Sequence, residues 1–408
     1  MTTHPLSPFR DDELASQCAE LFGPHVAISP LSSIDRMGRR ITGIDLTQPL
    51  SAPQARLLIA LLDAFNIISF PRQDQHTFRV RDLERLANHY GAPIPHPKNY
   101  ENYATYQRDG EPLRRLPVAK QTTTLCNNAF PDAITCTEDA DSPAVYVVTN
   151  LPGSGRDKTE MLASGLHWHT DIEFEPEPLS TSMFYVQGVP TTRDAENGSW
   201  VPDVHPPEGF YHPESGDELT QRRLKLPLNG ETAYADTAAA FADLPTEQQA
   251  ELRQVMVRRR LRIGDPGWLI PLVYTNPRTG RLSLHSPVWA SRGKNIAPVE
   301  VDGLSDRASR EFLDDLERHV LDPKYRYDHA HTPGDVTIWS NFSTLHNAPP
   351  AKRIINRPED ARLMYRISCK GEPALTLPRD DTNDWIESNI LPPYRSPSHY
   401  LRASPASA

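Results

Sequence analysis

The chain is short of several things that would define other classes of protein. Its 408 residues include only four cysteines, Cys18, Cys126, Cys136 and Cys369, widely spaced and with no CxxC among them, so neither a disulfide framework nor a thiolate zinc site is expected. No window approaches 18 consecutive apolar residues, and the N-terminal stretch lacks the apolar core of a signal peptide, which excludes a spanning helix and points to a cytoplasmic location. There is no excess of positive charge: 43 Lys+Arg against 53 Asp+Glu leave a net charge of −10, which argues against nucleic acid as the main partner. Glycine is scarce at 20 residues, whereas proline is abundant at 40, about twice ordinary usage. Because proline fixes φ and removes a donor, long uninterrupted helices cannot dominate. Bundles, coiled coils and solenoids are excluded, and a globular chain of one large or two ordinary domains remains.

The pattern is helical first and strand-like later. Ser51 can cap a helix whose apolar face is Leu57, Leu58, Leu61, Leu62 and Phe65, followed by a buried strand over 66–71. A second helix is expected from Thr77, with Leu83, Leu86, Ala87 and Tyr90 on one face and Gly91 at a left-handed cap. Strands are expected at 144–148, 167–174, 182–186 and 335–339. Helices recur around 246–257 and from Ser305 to Val320, where Pro323 prevents continuation. Residues 1–25 read as an N-terminal extension, 26–375 as a single catalytic domain and 376–408 as a tail. Segment 191–227 has no period and is long for a connection, as in a lid or an insertion. The run Arg258-Arg-Arg-Leu-Arg262 reads as a solvated face.

The densest chemistry lies in Leu166-His-Trp-His-Thr-Asp-Ile-Glu-Phe174. In a strand, alternate residues share a face, so His169 and Asp171 would project side by side, with His167 and Glu173 on the same side if the strand stays regular. Such pairs are common and alone prove little. A strand-like run ending in His346, followed 362 − 346 = 16 residues later by Arg362, adds what the pair lacks. Two histidines and one carboxylate on one face of a metal leave positions open for a cosubstrate and oxygen, the arrangement of non-haem Fe(II) oxygenases. A chelating 2-oxo acid then needs a fixed cation for its far carboxylate, a task suited to the guanidinium fork of Arg362. Zinc hydrolysis through His167, His169 and Asp171 is a rival reading, although no separate general base is recognisable.

These segments resemble the taurine dioxygenase family of Fe(II)/2-oxoglutarate-dependent dioxygenases, from about Val26 to Pro373. The resemblance runs through Ile28-Ser-Pro-Leu, Ile41-Thr-Gly-Ile-Asp-Leu-Thr-Gln-Pro-Leu-Ser51, Ile67-Ile-Ser-Phe-Pro-Arg72, Tyr90-Gly-Ala-Pro-Ile-Pro-His-Pro97, Trp168-His-Thr-Asp171, Asn229-Gly-Glu-Thr-Ala-Tyr234, Ile338-Trp-Ser-Asn-Phe-Ser-Thr-Leu-His346 and Arg362-Leu-Met-Tyr-Arg366. It implies a mainly β, α+β fold: a double-stranded β-helix (a cupin-like jelly roll) with helices packed on one side. It further implies iron held by His169, Asp171 and His346, the distal carboxylate of 2-oxoglutarate held by Thr232 and Arg362, and O2 as oxidant. Positions matching His96 and Arg366 lie at the primary-substrate site, with Asn99, Trp168 and Ile172 beside them. Arg366 implies a small or medium-sized substrate with an anionic group, although Asn99 and Gly165 depart from taurine dioxygenase. Arg353 and Arg357 are rivals of Arg362 because the span from His346 is longer than in the family. His167 is expected beside the metal or facing substrate, and His205, His212, His285, His329 and His331 are expected to be structural or exposed. The implied reaction is hydroxylation with release of succinate and CO2. Desaturation or cyclisation, and a non-catalytic ligand-binding jelly roll, are the alternatives. A homo-oligomer is compatible with this reading.

Overall fold

The computed structural model describes residues 11–31, 37–94, 130, 144–151, 168–191, 217–227, 229–261, 263–290, 297–348, 352 and 355–377. His96, Asn99, His167, His205, His212, Arg353 and most of the 191–227 segment lie outside these residues, as does most of the 376–408 tail. In chain order the elements are α1 (Asp11–Phe22), β1 (Ala27–Pro30), β2 (Arg39–Thr42), α2 (Ala52–Phe65), β3 (Ile67–Phe70), α3 (Val80–Asn88), β4 (Ala92–Ile94), β5 (Tyr146–Thr149) and β6 (Thr181–Gly188). There follow α4 (Asp217–Leu224), β7 (Thr232–Asp236), α5 (Thr237–Ala242), α6 (Thr246–Leu252), β8 (Met256–Arg259), β9 (Trp268–Pro271), β10 (Val273–Thr275), β11 (Leu282–Leu284) and β12 (Glu300–Val301). The last are α7 (Asp306–Val320), β13 (Arg326–His329), β14 (Val336–Ser340), β15 (Thr344–Asn347) and β16 (Leu363–Lys370).

Two sheets face each other as a jelly roll. The larger has the order β1-β2-β3-β14-β6-β16-β4, with β5 also on β16, and the smaller is β13-β7-β15. Alternation along each strand sends side chains to two different cores. From the large sheet, Trp339, Phe184, Val186 and Met364 point inward and meet Tyr234 of the small sheet. Their neighbours Ile338, Met183, Tyr185, Tyr365 and Ile367 point outward into the core formed with α1, α2 and α3. In the same way Ala233, Ala235 and Leu345 of the small sheet point outward under α5 and α7. Helices therefore cover both outer faces, not one side as the family resemblance implied. Sheets buried on both faces account for the near-continuous apolar strands, such as the wholly buried β14.

Local signals explain most element ends. α2 begins at Ser51, whose backbone N–H donates to Gln54 Oε1 at 2.8 Å, and ends on Asn66 at φ 65, a left-handed residue that closes the last turn. α7 starts where Ser305 Oγ accepts the Ala308 N–H. α3 begins at Val80, three residues later than expected. Gly91, at φ +141, lies so close to β16 that a Cβ would stand 2.7 Å from the Lys370 carbonyl oxygen, so the close approach requires glycine.

Tertiary packing overrode the sequence pattern elsewhere. The supposed N-terminal extension contains α1, whose Leu14 and Cys18 are fully buried in the outer core. The helix expected over 246–257 stops at Leu252 and gives way to β8. Within the arginine run, Arg258 and Arg260 pair with Glu300, but Arg259 is buried, contrary to the solvated-face expectation. Segment 217–224 is the packed helix α4. Among the described residues no helix is long and apolar enough to cross a membrane.

His285 and His329 are both buried, and burial, aided by Arg259 beside the first and Arg40 beside the second, pushes each down to about 3. In the unfolded chain they return to about 6.5 and bind protons that the folded protein refuses. Their stabilising contribution is therefore complete above pH 6.5 and is lost as pH falls toward 3, at ~1.4 kcal/mol per group per pH unit. Urea midpoints measured at pH 7 and pH 5 should drop accordingly. The drop should be smaller in His329→Gln, and an identical drop in that variant would reject the assignment.

Candidate active site

The small sheet carries one half of the site on its inner face. His346 of β15 stands opposite Tyr234 of β7, Tyr234 opposite Tyr327 of β13, and Thr232 opposite His329. Directly opposed residues share a face, as do residues two apart in one strand. His346, Tyr234, Thr232, Tyr327 and His329 therefore form one inward patch.

The segment around His169 brings the other half. Over the described residues 168–174 it is not a strand: among them only His169 pairs, in an isolated antiparallel bridge with His346, through N–H···O bonds of 3.1 and 2.9 Å. The chain then turns, with Ile172 at φ 51 and the Thr170 hydroxyl donating to the Thr344 carbonyl at 3.0 Å. Asp171 thus reaches the histidines through a turn and not through strand alternation. Glu173 does not follow it. Its carboxylate accepts the Ser286 hydroxyl and the Thr170 N–H, away from the histidines.

Three donors converge. Asp171 Oδ1 lies 3.9 Å from His169 Nε2 and 3.7 Å from His346 Nε2, and among the described residues His169, Asp171 and His346 form a cluster whose candidate ligand atoms are all within 4.8 Å of one another. Two imidazole nitrogens and one carboxylate oxygen, presented from one side, fit the donor set of non-haem Fe(II). The second carboxylate oxygen is held by the fold: Ser182 Oγ donates to Asp171 Oδ2 at 2.7 Å. That hydroxyl has a single hydrogen, so its contacts with Ser368 Oγ at 2.9 Å and Asn341 Nδ2 at 3.0 Å are ones it accepts. Arg366 Nη1 donates to Oδ1 at 3.1 Å. Burial disfavours the charged carboxylate, but Arg366, His346, His169 and Ser182 outweigh it and hold Asp171 well below the usual carboxylate range. The side chain is a ready anion. Ser182→Ala should leave the fold intact and weaken divalent-metal binding by ~10–100-fold, as loss of a group supporting a ligand does; a Co(II) titration reading equal affinities would contradict this.

Thr232 and Arg362 are both buried on the inner side. Arg362 directly precedes β16, and its backbone is clamped: Asn150 Oδ1 accepts its N–H at 2.8 Å and its carbonyl accepts Thr149 Oγ1 at 2.7 Å. Burial raises the Tyr234 hydroxyl well above its ordinary value, with Tyr327 and Asp171 adding to the rise while Arg362 and Thr232 oppose it, so all these groups share one neighbourhood. Of the rival arginines, Arg357 is half exposed and bound to Asp360 at 2.8 Å, leaving Arg362 as the buried cation among the described candidates. Trp168, expected beside the substrate, packs instead in the outer core of the small sheet beneath the Arg326 guanidinium. Ile172 is buried next to Asp171 in a small cluster with Ile94, Phe174 and Leu179.

The model of the taurine catabolism dioxygenase TauD, TfdA family matches residues 27–368. The chain belongs to this family. Several of its relatives are named α-ketoglutarate-dependent dioxygenases, and this chain is an Fe(II)- and 2-oxoglutarate-dependent dioxygenase of the same class. It is 28% identical to pentalenolactone F synthase of Streptomyces arenae over 55% of this chain and 68% of that protein. It is 25% identical to the 2,4-dichlorophenoxyacetate dioxygenase of Burkholderia sp. strain RASC over 41% of this chain and 61% of the relative. A crystal structure of a putative α-ketoglutarate-dependent taurine dioxygenase from Burkholderia xenovorans superposes with TM-score 0.52 at 21% identity, covering 85% of this chain and 90% of that one. The structure of AAD-2 in complex with Mn(II) and N-oxalylglycine gives TM-score 0.51 at 18% identity, covering 85% and 98%. These likenesses establish the jelly-roll fold of the TauD/TfdA dioxygenases.

The residues that pattern reasoning undervalued are His331 and His329. His331 Nε2 lies 2.8 Å from Thr232 Oγ1, while His329 bonds Thr337 and Tyr327. An alternating His-x-His next to β14 was the only available hint.

Proposed function

We propose that this protein is an oxygenase that hydroxylates a small to medium-sized anionic organic molecule, consuming 2-oxoglutarate and O2 and releasing succinate and CO2. The observation that carries this reading is the convergence of His169, Asp171 and His346 with candidate ligand atoms within 4.8 Å of one another, together with a buried Arg362 that acts on Tyr234, the residue opposite His346. In this reading the three residues hold Fe(II), and Thr232 with Arg362 binds the distal carboxylate of 2-oxoglutarate. His96, Asn99, Ile172 and Arg366 border the primary substrate, and residues 26–375 form one catalytic unit to which α1 adds. Iron with the oxo acid and O2 supplies an oxidant able to insert one oxygen atom into a C–H bond while the oxo acid is decarboxylated. The chain's own part is geometric and electrostatic. Ser182 holds Asp171 Oδ2, so that Oδ1 would be the oxygen offered to iron, and Thr232 with Arg362 would bind and neutralise the far carboxylate in a buried site.

Arg366 favours an anionic substrate. Its guanidinium lies 3.1 Å from Asp171 and 5.5 Å from the centroid of the Tyr146 ring, so an anion there would sit next to the metal and in reach of a bidentate partner. Relatives named for 2,4-dichlorophenoxyacetate and (S)-phenoxypropionate, both carboxylates, agree with this choice. The test is succinate formation by the iron-loaded protein with a panel of aryloxyalkanoates, sulfonates and their neutral amides. Anions should stimulate turnover over the substrate-free rate and the amides should not. Equal stimulation by both would reject the anionic assignment, and no iron-dependent succinate with any compound would reject the catalytic roles.

A further inference from the structure

β13 ends at His329, directly opposite Thr232, and two residues later His331 returns to the same inward face. Its Nε2 stands 2.8 Å from Thr232 Oγ1, and the side chain is 1% exposed. The ring has little freedom. It meets His329 edge-on at 4.7 Å and 83°, and Phe184 at 6.0 Å and 85°. His329 is itself held through both ring nitrogens, by Tyr327 at 2.8 Å and Thr337 at 3.0 Å. A threonine hydroxyl carries one hydrogen, and a carboxylate can only accept. For Thr232 to donate to the distal carboxylate of 2-oxoglutarate, the partner on its other side must be a donor to it, since an acceptor there would draw the hydrogen away and turn the lone pairs of the oxygen toward the anion.

We propose that His331 is a positioning residue for the cosubstrate: as the Nε2–H tautomer it donates to Thr232 and so aims the threonine hydrogen at the distal carboxylate of 2-oxoglutarate. The inference rests on the assignment of Thr232 to that carboxylate made above. A chain from imidazole N–H to hydroxyl to carboxylate has all its dipoles in one direction, and buried hydrogen bonds arranged in this way strengthen one another. His331 thereby contributes to the choice of a five-carbon oxo acid over shorter ones without touching it.

The test uses the full chain loaded with Co(II), with dissociation constants for 2-oxoglutarate and for pyruvate, which lacks the distal carboxylate, measured by calorimetry. His331→Phe keeps the ring and its edge contacts and removes the nitrogen, and His331→Gln restores an amide donor near the Nε2 position. His331→Phe should weaken 2-oxoglutarate about tenfold, the net worth of one buried hydrogen bond, and leave pyruvate unchanged. His331→Gln should recover most of that affinity, and His331→Phe should add nothing in a Thr232→Val background. Unchanged 2-oxoglutarate binding in His331→Phe, or equal losses for both oxo acids, would overturn the inference. If Thr232→Val weakens 2-oxoglutarate while His331→Phe does not, this inference alone fails; wild-type affinity in Thr232→Val overturns it together with the cosubstrate assignment.

Discussion

His346→Ala is expected to abolish iron binding and 2-oxoglutarate-dependent succinate formation together, by on the order of a thousandfold or more, since removing a group that merely supports a ligand already costs ~10–100-fold. The physical reason is the shared position of Asp171 Oδ1, which stands 3.7 Å from His346 Nε2 and 3.9 Å from His169 Nε2. Without His346 the remaining pair offers one nitrogen and one oxygen, and the carboxylate keeps its contact with Arg366 at 3.1 Å. The anion is then neutralised by a guanidinium instead of a metal. The fold should survive, because the backbone bridge between residues 169 and 346 is made by main-chain atoms alone. Iron content by metal analysis of protein reconstituted without oxygen, alongside succinate yield, checks the expectation. Stoichiometric iron or wild-type succinate in the variant would remove His346 from the metal site.

Arg223→Ala should be strongly destabilising although it lies outside the site. Arg223 of α4 is buried against α7, with Nε donating to Glu317 Oε1 at 2.7 Å and Nη2 to Glu317 Oε2 at 2.6 Å and Asp314 Oδ1 at 3.3 Å. Two buried acids face one arginine. Burial raises Glu317 above the ordinary glutamate range even against the pull of Arg223. Removing the guanidinium leaves a buried carboxylate without its counter-charge, which costs about 3–5 kcal/mol. Replacing Arg223, Glu317 and Asp314 together with Met, Leu and Leu should cost far less, because all three desolvation penalties vanish with the charges. Urea unfolding of the two variants checks this, and equal losses would show that packing rather than charge sets the effect.

Local rules made the helices legible. Ser51, Ser305 and Pro323 mark ends through contacts within a few residues, and the apolar face of α2 follows from the helical period alone, whereas Asn66, read as the start of the next strand, is the left-handed cap of α2. The metal motif was legible for another reason: a carboxylate two residues from a histidine, with a distant histidine and arginine, limits the chemistry whatever the local backbone does. The strand assigned to 167–174 failed on these grounds. Alternation predicts that His169 and Asp171 share a side, and they do, but a turn through Ile172 at φ 51 brings them together and sends Glu173 elsewhere, to Ser286.

The sequence by itself determined the kind of protein: a proline-rich, mildly acidic chain with four scattered cysteines and no long apolar run, whose motif order places one iron site across two distant segments. Only the tertiary structure decided how that site is held. Ser182 and Arg366 orient Asp171 from 11 and 195 residues away, and His331 reaches Thr232 across 99. Arg259 is buried from the middle of a run of charge that a local reading sends to solvent. Hydrogen bonds between residues so far apart leave no period or spacing in the chain. They exist because two sheets, each buried on both faces, bring their inner side chains to one place.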